Sequence, residues 1–138
     1  MAEALILDSE ALNALVNPSG RGSLGLRARA IARVAHERGA LVRVPAPVLA
    51  EVCRGGRFDA ALNQFLNRDA VRVVDLTTQM AQRAGSLLTA ASMSSVHSID
   101  AFVVATALGF EAAVIATGDP KDLRRLAAPY RQISLMAL

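Results

Sequence analysis

Four carboxylate residues of this sequence lie within or directly after apolar segments. They are Asp8, Glu51, Asp100 and Asp119. An ionised carboxylate in such surroundings is costly unless it is paired with a positive charge or bound to a metal ion. Four acids that converge would repel one another and raise one another's pKa, so a divalent cation is their natural partner. Oxygen ligands of this kind suit Mg²⁺ or Mn²⁺ rather than zinc.

Each acid, taken singly, also has a structural interpretation. Asp8 follows an apolar run and can cap a helix, and Asp100 is placed where it would favour the positive end of a helix dipole regardless of catalysis. The four acids in this order favour a functional site over four separate structural roles. Other acids, Glu10 among them, are expected to be solvated surface charges.

The elements that must position these acids follow a repeated strand and helix pattern. Short apolar runs near residues 4, 41, 71, 113 and 133 are typical of buried strands, and helical segments separate them. This pattern predicts an α/β fold with a mostly parallel sheet of about five strands, covered by helices on both faces. Asp8 follows the first strand and Asp119 the fourth, so both should reach the carboxyl edge, where functional groups of such sheets collect.

Local signals predict where several helices begin and end. Ser9 can cap a first helix, and a second helix is predicted from Leu26 to Arg38. Gly55 and Gly56 are expected to end the helix that carries Glu51, with the next helix beginning at Phe58. The positions of Asp8 and Glu51 relative to the sheet depend on where these helices begin and end.

Length and composition indicate one domain over residues 1–138. The chain is 53% hydrophobic with a net charge of +3, and at this length it can bury a core without disulfides or structural metal. The amino terminus lacks the features of a signal peptide, and no apolar run approaches the roughly 18 residues of a membrane span. We therefore expect a cytoplasmic protein that does not enter the membrane.

A glycine-rich segment, Gly20 to Gly25, matches the spacing G-x-G-x-x-G of dinucleotide-binding loops. In those proteins the motif directly follows a strand, and an acid lies about twenty residues further on. Neither condition holds here, because Pro18 precedes the motif and Val44 and Pro45 stand where the acid is needed. A flexible loop is the better interpretation.

The acids also lie in an ordered set of short motifs. These are Leu7-Asp8-Ser9, then Glu51-Val52 followed by Arg54-Gly55, then Ser98-Ile99-Asp100-Ala101, and finally Ala116-Thr117-Gly118-Asp119 with Asp122 close behind. The set resembles the PIN-domain ribonucleases, especially the VapC-type toxins of bacterial toxin-antitoxin pairs, over nearly the whole chain. The resemblance implies a PIN-like three-layer sandwich. It also implies that Asp8, Glu51, Asp100 and Asp119 hold Mg²⁺ or Mn²⁺.

Further residues take roles from the same resemblance. Ser9 and Thr117 match positions where the family often has hydroxyls that support the metal or its waters. Asp122 is either an outer ligand or a charge in the first turn of the last helix. Gly118 stands where the family often has a larger polar residue.

The activity that the resemblance implies is metal-dependent endoribonuclease cleavage of RNA, which inhibits translation and growth. A bound cation would polarise a phosphoryl oxygen and lower the pKa of water, and Asp100 could orient or deprotonate that water. The implied partners are a small cognate antitoxin and a second copy of the chain, as a homodimer or as a heterotetramer or larger assembly with the antitoxin. The alternative is a catalytically silent PIN-like module that binds protein or RNA.

Arginine is concentrated in one part of the chain. Eight arginines but two acids, Glu37 and Glu51, lie between Arg21 and Arg57. The candidate RNA contacts are Arg27, Arg29 and Arg33. A solvated helix face is the alternative interpretation, but the local excess of charge is compatible with contact to a polyanion.

Overall fold

The computed structural model describes residues 3–17, 23–68 and 70–138. These residues form five β-strands and seven α-helices. The strands are β1 (Glu3–Leu7), β2 (Leu41–Pro45), β3 (Val71–Val74), β4 (Ala112–Thr117) and β5 (Ile133–Ala137). The helices are α1 (Ser9–Val16), α2 (Ser23–Glu37), α3 (Val48–Val52), α4 (Gly56–Leu66), α5 (Thr78–Ala90), α6 (Ser98–Ala107) and α7 (Pro120–Ala127). Residues 20–22 of the glycine-rich segment lie outside the described ranges.

The five strands form one sheet in the order β3-β2-β1-β4-β5, and every neighbouring pair is parallel. The predicted α/β architecture is confirmed. The chain builds β2 and β3 on one side of β1 and then returns to build β4 and β5 on the other side. The order therefore switches between β1 and β4, and the crevice at the carboxyl ends of these two strands is the favoured place for a site.

The centre of the sheet is covered on both faces. Side chains alternate between the two faces of a strand, yet all four residues from Ala4 to Leu7 are buried. Helix α6 is buried from Val103 to Ala107 and packs on β1, β2 and β4 as well as on α5. A core of this kind holds the first turn of α6, which carries Asp100, against the middle of the sheet.

Helix boundaries differ from the prediction at three places. Asp8, not Ser9, caps α1, because its side chain accepts a hydrogen bond of 2.8 Å from the backbone N–H of Ala11. Helix α2 begins at Ser23 rather than Leu26. Helix α4 begins at Gly56, because Gly55 and Gly56 adopt positive φ angles of 89° and 62° and make a turn that leads straight into the helix.

No helix within the described ranges is both long and apolar enough to cross a lipid bilayer.

Candidate metal centre

The topology brings the four predicted acids together at the carboxyl edge of the sheet. Asp8 directly follows β1, Asp119 lies two residues after β4, and Glu51 lies on the short helix that follows β2. Asp100 lies in the first turn of α6, which packs across these strands. The negative charges of Glu51 and Asp119 help to raise the pKa of Asp100, and the charge of Asp100 helps to raise the pKa of Asp8. The four acids therefore form one electrostatic cluster.

Asp8 is the most buried of these acids, with 6% of its surface exposed. The pKa of its carboxyl group is raised to about 6, chiefly by burial, and the charges of Asp100 and Glu10 act in the same direction. Hydrogen bonds from the Thr117 side chain and the Ala11 backbone N–H act in the opposite direction, since they stabilise the carboxylate. Asp8 is therefore both a helix cap and an acid whose ionisation the protein resists.

Asp100 shows the same behaviour in a half-buried position. Burial is the largest cause that raises its pKa to about 6, followed by the negative charges of Asp122 and Glu51. The neighbouring His97 partly offsets these effects. Two carboxyl groups of one site with raised pKa values are typical of a centre that is incomplete without a cation.

Ser9 links two elements of the site. Its hydroxyl donates a hydrogen bond of 2.8 Å to Oε1 of Glu51, which connects the start of α1 with α3. Because Glu51 is exposed and its neighbours are acidic, this bond is what orients its carboxylate. The family resemblance assigns the Ser9 hydroxyl to the metal or its waters, and in this structure the hydroxyl is hydrogen-bonded to the Glu51 carboxylate.

Thr117 makes a similar connection in the interior. It is fully buried at the end of β4, where its hydroxyl accepts a hydrogen bond of 3.0 Å from the backbone N–H of Asp119. The same side chain hydrogen-bonds to the carboxylate of Asp8. One hydroxyl therefore sets the position of Asp119 relative to Asp8.

Asp122 joins the cluster from the first turn of α7. Its Oδ2 atom lies 3.3 Å from Nδ1 of His97, and potential ligand atoms of His97, Asp100 and Asp122 all lie within 4.8 Å of one another. This geometry is compatible with an outer ligand. The position at the start of α7 also fits the structural alternative, since an acid there interacts favourably with the helix dipole.

Glu10 belongs to the site although the sequence suggests a solvated charge. A side-chain carbon placed on Gly118 would lie 2.6 Å from Oε2 of Glu10, so the Glu10 carboxylate occupies the space beside Gly118. Its charge also contributes to the raised pKa of Asp8. The signal in the sequence is the pair itself, an acid two residues after Asp8 and a glycine where the family often has a larger side chain.

The donor set fits a hard divalent cation. Within the described part of the chain, none of the four predicted acids forms an ion pair with lysine or arginine. The protein instead gathers carboxylate oxygens and orients them by hydrogen bonds from Ser9 and Thr117. Mg²⁺ and Mn²⁺ prefer oxygen ligands in an arrangement of this kind.

Two of the three predicted arginines, Arg29 and Arg33, lie near the opposite edge of the sheet. Arg27, Arg29 and Arg33 are exposed on α2. Arg29 and Arg33 line a pocket with Val42 and Val71, near the amino ends of β2 and β3. Since the acids occupy the carboxyl edge, the structure does not bring Arg29 and Arg33 into the acidic cluster.

Other basic residues, missed by sequence reasoning, lie nearer to the acids. Lys121 and Arg124 line a pocket that includes Asp119, and Arg54 lines a pocket with Glu51. The only signal for them in the sequence is their position within a few residues of a candidate ligand. The acidic centre is thus flanked by positive charge on two sides, as a site that receives a polyanion requires.

Comparison with known proteins is consistent with this geometry. A family model described as PIN domain matches residues 5–129. No curated protein matches the chain. Among solved structures, the chain is similar to a chain in the crystal structure of VapBC2 from Rickettsia felis bound to a DNA fragment from their promoter. That match has 14% identity and a TM-score of 0.61, and covers 97% of this chain and 98% of the other. The protein belongs to the PIN domain family.

Proposed function

We propose that this protein is a metal-dependent endoribonuclease and the toxin of a toxin-antitoxin pair. The observation that carries the proposal is the convergence of Asp8, Glu51, Asp100 and Asp119 at the topological switch of the sheet. PIN domains are generally nucleases, and family membership supports this class of reaction. In this proposal residues 1–138 act as one PIN domain, and RNA cleavage inhibits translation and growth.

The four acids would hold Mg²⁺ or Mn²⁺, with Asp122 as an outer ligand. The bound cation would polarise the scissile phosphoryl group and lower the pKa of the attacking water. Asp100 faces Asp122 and His97 at short range and would orient that water and accept its proton. Thr117 and Ser9 would keep Asp8, Asp119 and Glu51 in position.

RNA would approach along the positive charge that flanks the acids. Lys121 and Arg124 on one side and Arg54 on the other would contact phosphates close to the cut. Arg29 and Arg33 would contact phosphates further along the strand, near the amino ends of β2 and β3. Arg27, on the same helix, is the third candidate contact. Two sets of contacts at different distances predict that RNA length affects binding.

The proposed partners are a small antitoxin and a second copy of this chain, in a homodimer or in a heterotetramer or larger assembly with the antitoxin. Similarity in fold to a chain of the Rickettsia felis VapBC2 structure supports the antitoxin. A small protein encoded immediately upstream should copurify with this chain and suppress its cleavage of RNA. Light scattering of the chain with and without that protein measures the assembly.

The decisive experiment measures cleavage of labelled RNA by the purified protein. We expect cleavage with Mg²⁺ or Mn²⁺, loss of cleavage in EDTA, and loss in Asp8→Asn, Glu51→Gln, Asp100→Asn and Asp119→Asn. Asp75→Asn is the matched control, because Asp75 is exposed and follows β3 at the same edge of the sheet. It should cleave at the wild-type rate. A folded wild-type protein that binds RNA or an antitoxin but never cleaves would instead be the silent binding module.

A further inference from the structure

A pocket of about 450 Å³ opens directly beside the acidic centre. Ser9 and Glu51, which are hydrogen-bonded to each other, lie in its wall, and Glu51 also belongs to the acidic cluster. The remaining wall comes from α1, from the turn after α3 and from the first turns of α4. A molecule in this pocket would therefore lie alongside the reacting phosphate.

One wall of the pocket is a polar stripe on α1. Ser9, Asn13 and Asn17 recur at intervals of four residues, so they lie on one face of the helix, with Asn17 as the residue that follows its last turn. The stripe runs roughly 12 Å away from the acids at 1.5 Å per residue. Each amide both donates and accepts hydrogen bonds, which matches the edges of nucleobases.

The turn after α3 and the first turn of α4 supply an aromatic ring and a cation to the lining. Phe58 is half-buried and packs against the hydrophobic core, which holds its ring in place. The Arg54 guanidinium donates to the carbonyl of Ala50 at 3.0 Å, and its backbone N–H donates to Oδ1 of Asp59 at 2.8 Å. Unstacked bases of single-stranded RNA are commonly held by stacking on aromatic rings, with arginine on the neighbouring phosphate.

We propose that this pocket, defined by Asn13, Asn17, Arg54 and Phe58, binds one unstacked RNA nucleobase next to the scissile phosphate and selects which base is cut. The inference rests on the proposed ribonuclease function and adds its source of specificity. A nucleobase is neutral and rich in donors and acceptors, so it tolerates the negative charges of Glu10 and Glu51, which both line the pocket, better than an anionic group would. Arg54 contacts the phosphate that follows the bound base.

The test uses the full chain with a pool of single-stranded RNAs that contain a randomised segment. Sequencing of the ends produced with Mn²⁺ should show a preferred base at one position beside the cut. Asn17→Ala and Phe58→Leu should each reduce that preference about tenfold. Phe58→Tyr keeps the ring and should retain it. The matched control is Asn63→Ala, an exposed position on α4 away from the pocket.

A second measurement separates this inference from the ribonuclease proposal. Binding of labelled A, C, G and U homopolymers in EDTA does not depend on cleavage, and the wild type should discriminate among them while Asn17→Ala and Phe58→Leu should not. Wild-type base preference in both variants in these assays would overturn the inference. The inference would also be overturned if Asn17→Ala and Phe58→Leu changed only the binding of a protein partner. If the wild type cleaves no RNA, the ribonuclease proposal fails, and homopolymer binding then decides whether the pocket binds a nucleobase.

Discussion

The hydroxyl of Thr117 accepts a hydrogen bond of 3.0 Å from the backbone N–H of Asp119, and it also hydrogen-bonds to Asp8. This buried hydroxyl connects two candidate ligands that follow two neighbouring strands, β1 and β4. Neither acid alone fixes the distance across the switch point of the sheet. The Thr117 side chain does so because it has a partner on each side.

Thr117→Val keeps the shape of the side chain but removes this hydroxyl. We expect the free energy of unfolding to fall by about 1–3 kcal/mol, because the N–H of Asp119 loses its acceptor. Cleavage or metal affinity should fall about 10- to 100-fold, as is typical when an outer group that orients a ligand is removed. Urea unfolding and Mn²⁺ titration measure the two effects. Thr117→Ser should behave like the wild type, and equal behaviour of the Val and Ser variants would refute the role of the hydroxyl.

Gly118 and Glu10 should be coupled. Gly118→Ala places a carbon 2.6 Å from Oε2 and 3.0 Å from Cβ of Glu10, so the Glu10 side chain must move. We expect a loss of roughly 1–3 kcal/mol in the free energy of unfolding. The same substitution in a Glu10→Ala background should cost less, because the contact with Oε2 is removed while the longer contact with Cβ remains, and a double-mutant cycle by urea unfolding measures the coupling. An additive cycle would show that the two residues do not compete for this space.

Stability without metal should depend on pH through Asp8. Its folded-state pKa is raised from 3.8 to about 6, so the folded protein retains a proton that the unfolded chain loses. The free energy of unfolding should therefore fall as pH rises from about 4 to about 6, by roughly 3 kcal/mol at most for this group, and stay low above that range. Asp100 acts in the same direction.

The measurement is urea unfolding in EDTA between pH 4 and pH 8. Asp8→Asn should show a smaller decrease than the wild type, because its side chain does not ionise. Mn²⁺ should oppose the decrease in the wild type, since the cation binds the ionised carboxylates that form as pH rises. If the free energy of unfolding falls equally with pH in Asp8→Asn and in the wild type, Asp8 ionises in the folded state as easily as in the unfolded chain.

Much of this site could be predicted from sequence because the acids occupy positions set by topology. Asp8 and Asp119 follow strands whose apolar runs are unambiguous, and parallel strands bring their carboxyl ends to one edge. Side-chain partners could not be predicted in the same way. The bond from Ser9 to Glu51 joins residues 42 positions apart, and it depends on how α1 packs on α3. The preference of serine for helix caps predicts a different role for Ser9, and Asp8 takes that role.

The dependence on packing also explains why the basic residues near the acids could not be predicted from the sequence. Local charge density favours Arg29 and Arg33, but charge density carries no information about which end of the sheet a helix face approaches. It gives no signal for Lys121 and Arg124, because they stand in a balanced segment beside Asp119 and Asp122. Which basic side chains lie near the acids depends on how the helices pack against the sheet.

This placement makes a prediction about RNA length. Lys121→Ala with Arg124→Ala should weaken binding of short and long single-stranded RNA alike, because both residues lie beside Asp119. The slope of log K against log salt should become shallower by about 0.7 for each phosphate that the variant no longer neutralises. Arg29→Ala with Arg33→Ala should weaken binding of long RNA only, since these residues lie near the amino ends of β2 and β3. Fluorescence anisotropy over a series of RNA lengths and salt concentrations measures both pairs. Equal weakening for short RNA in the two double variants would contradict the assignment, and so would an unchanged salt slope in the Lys121 and Arg124 variant.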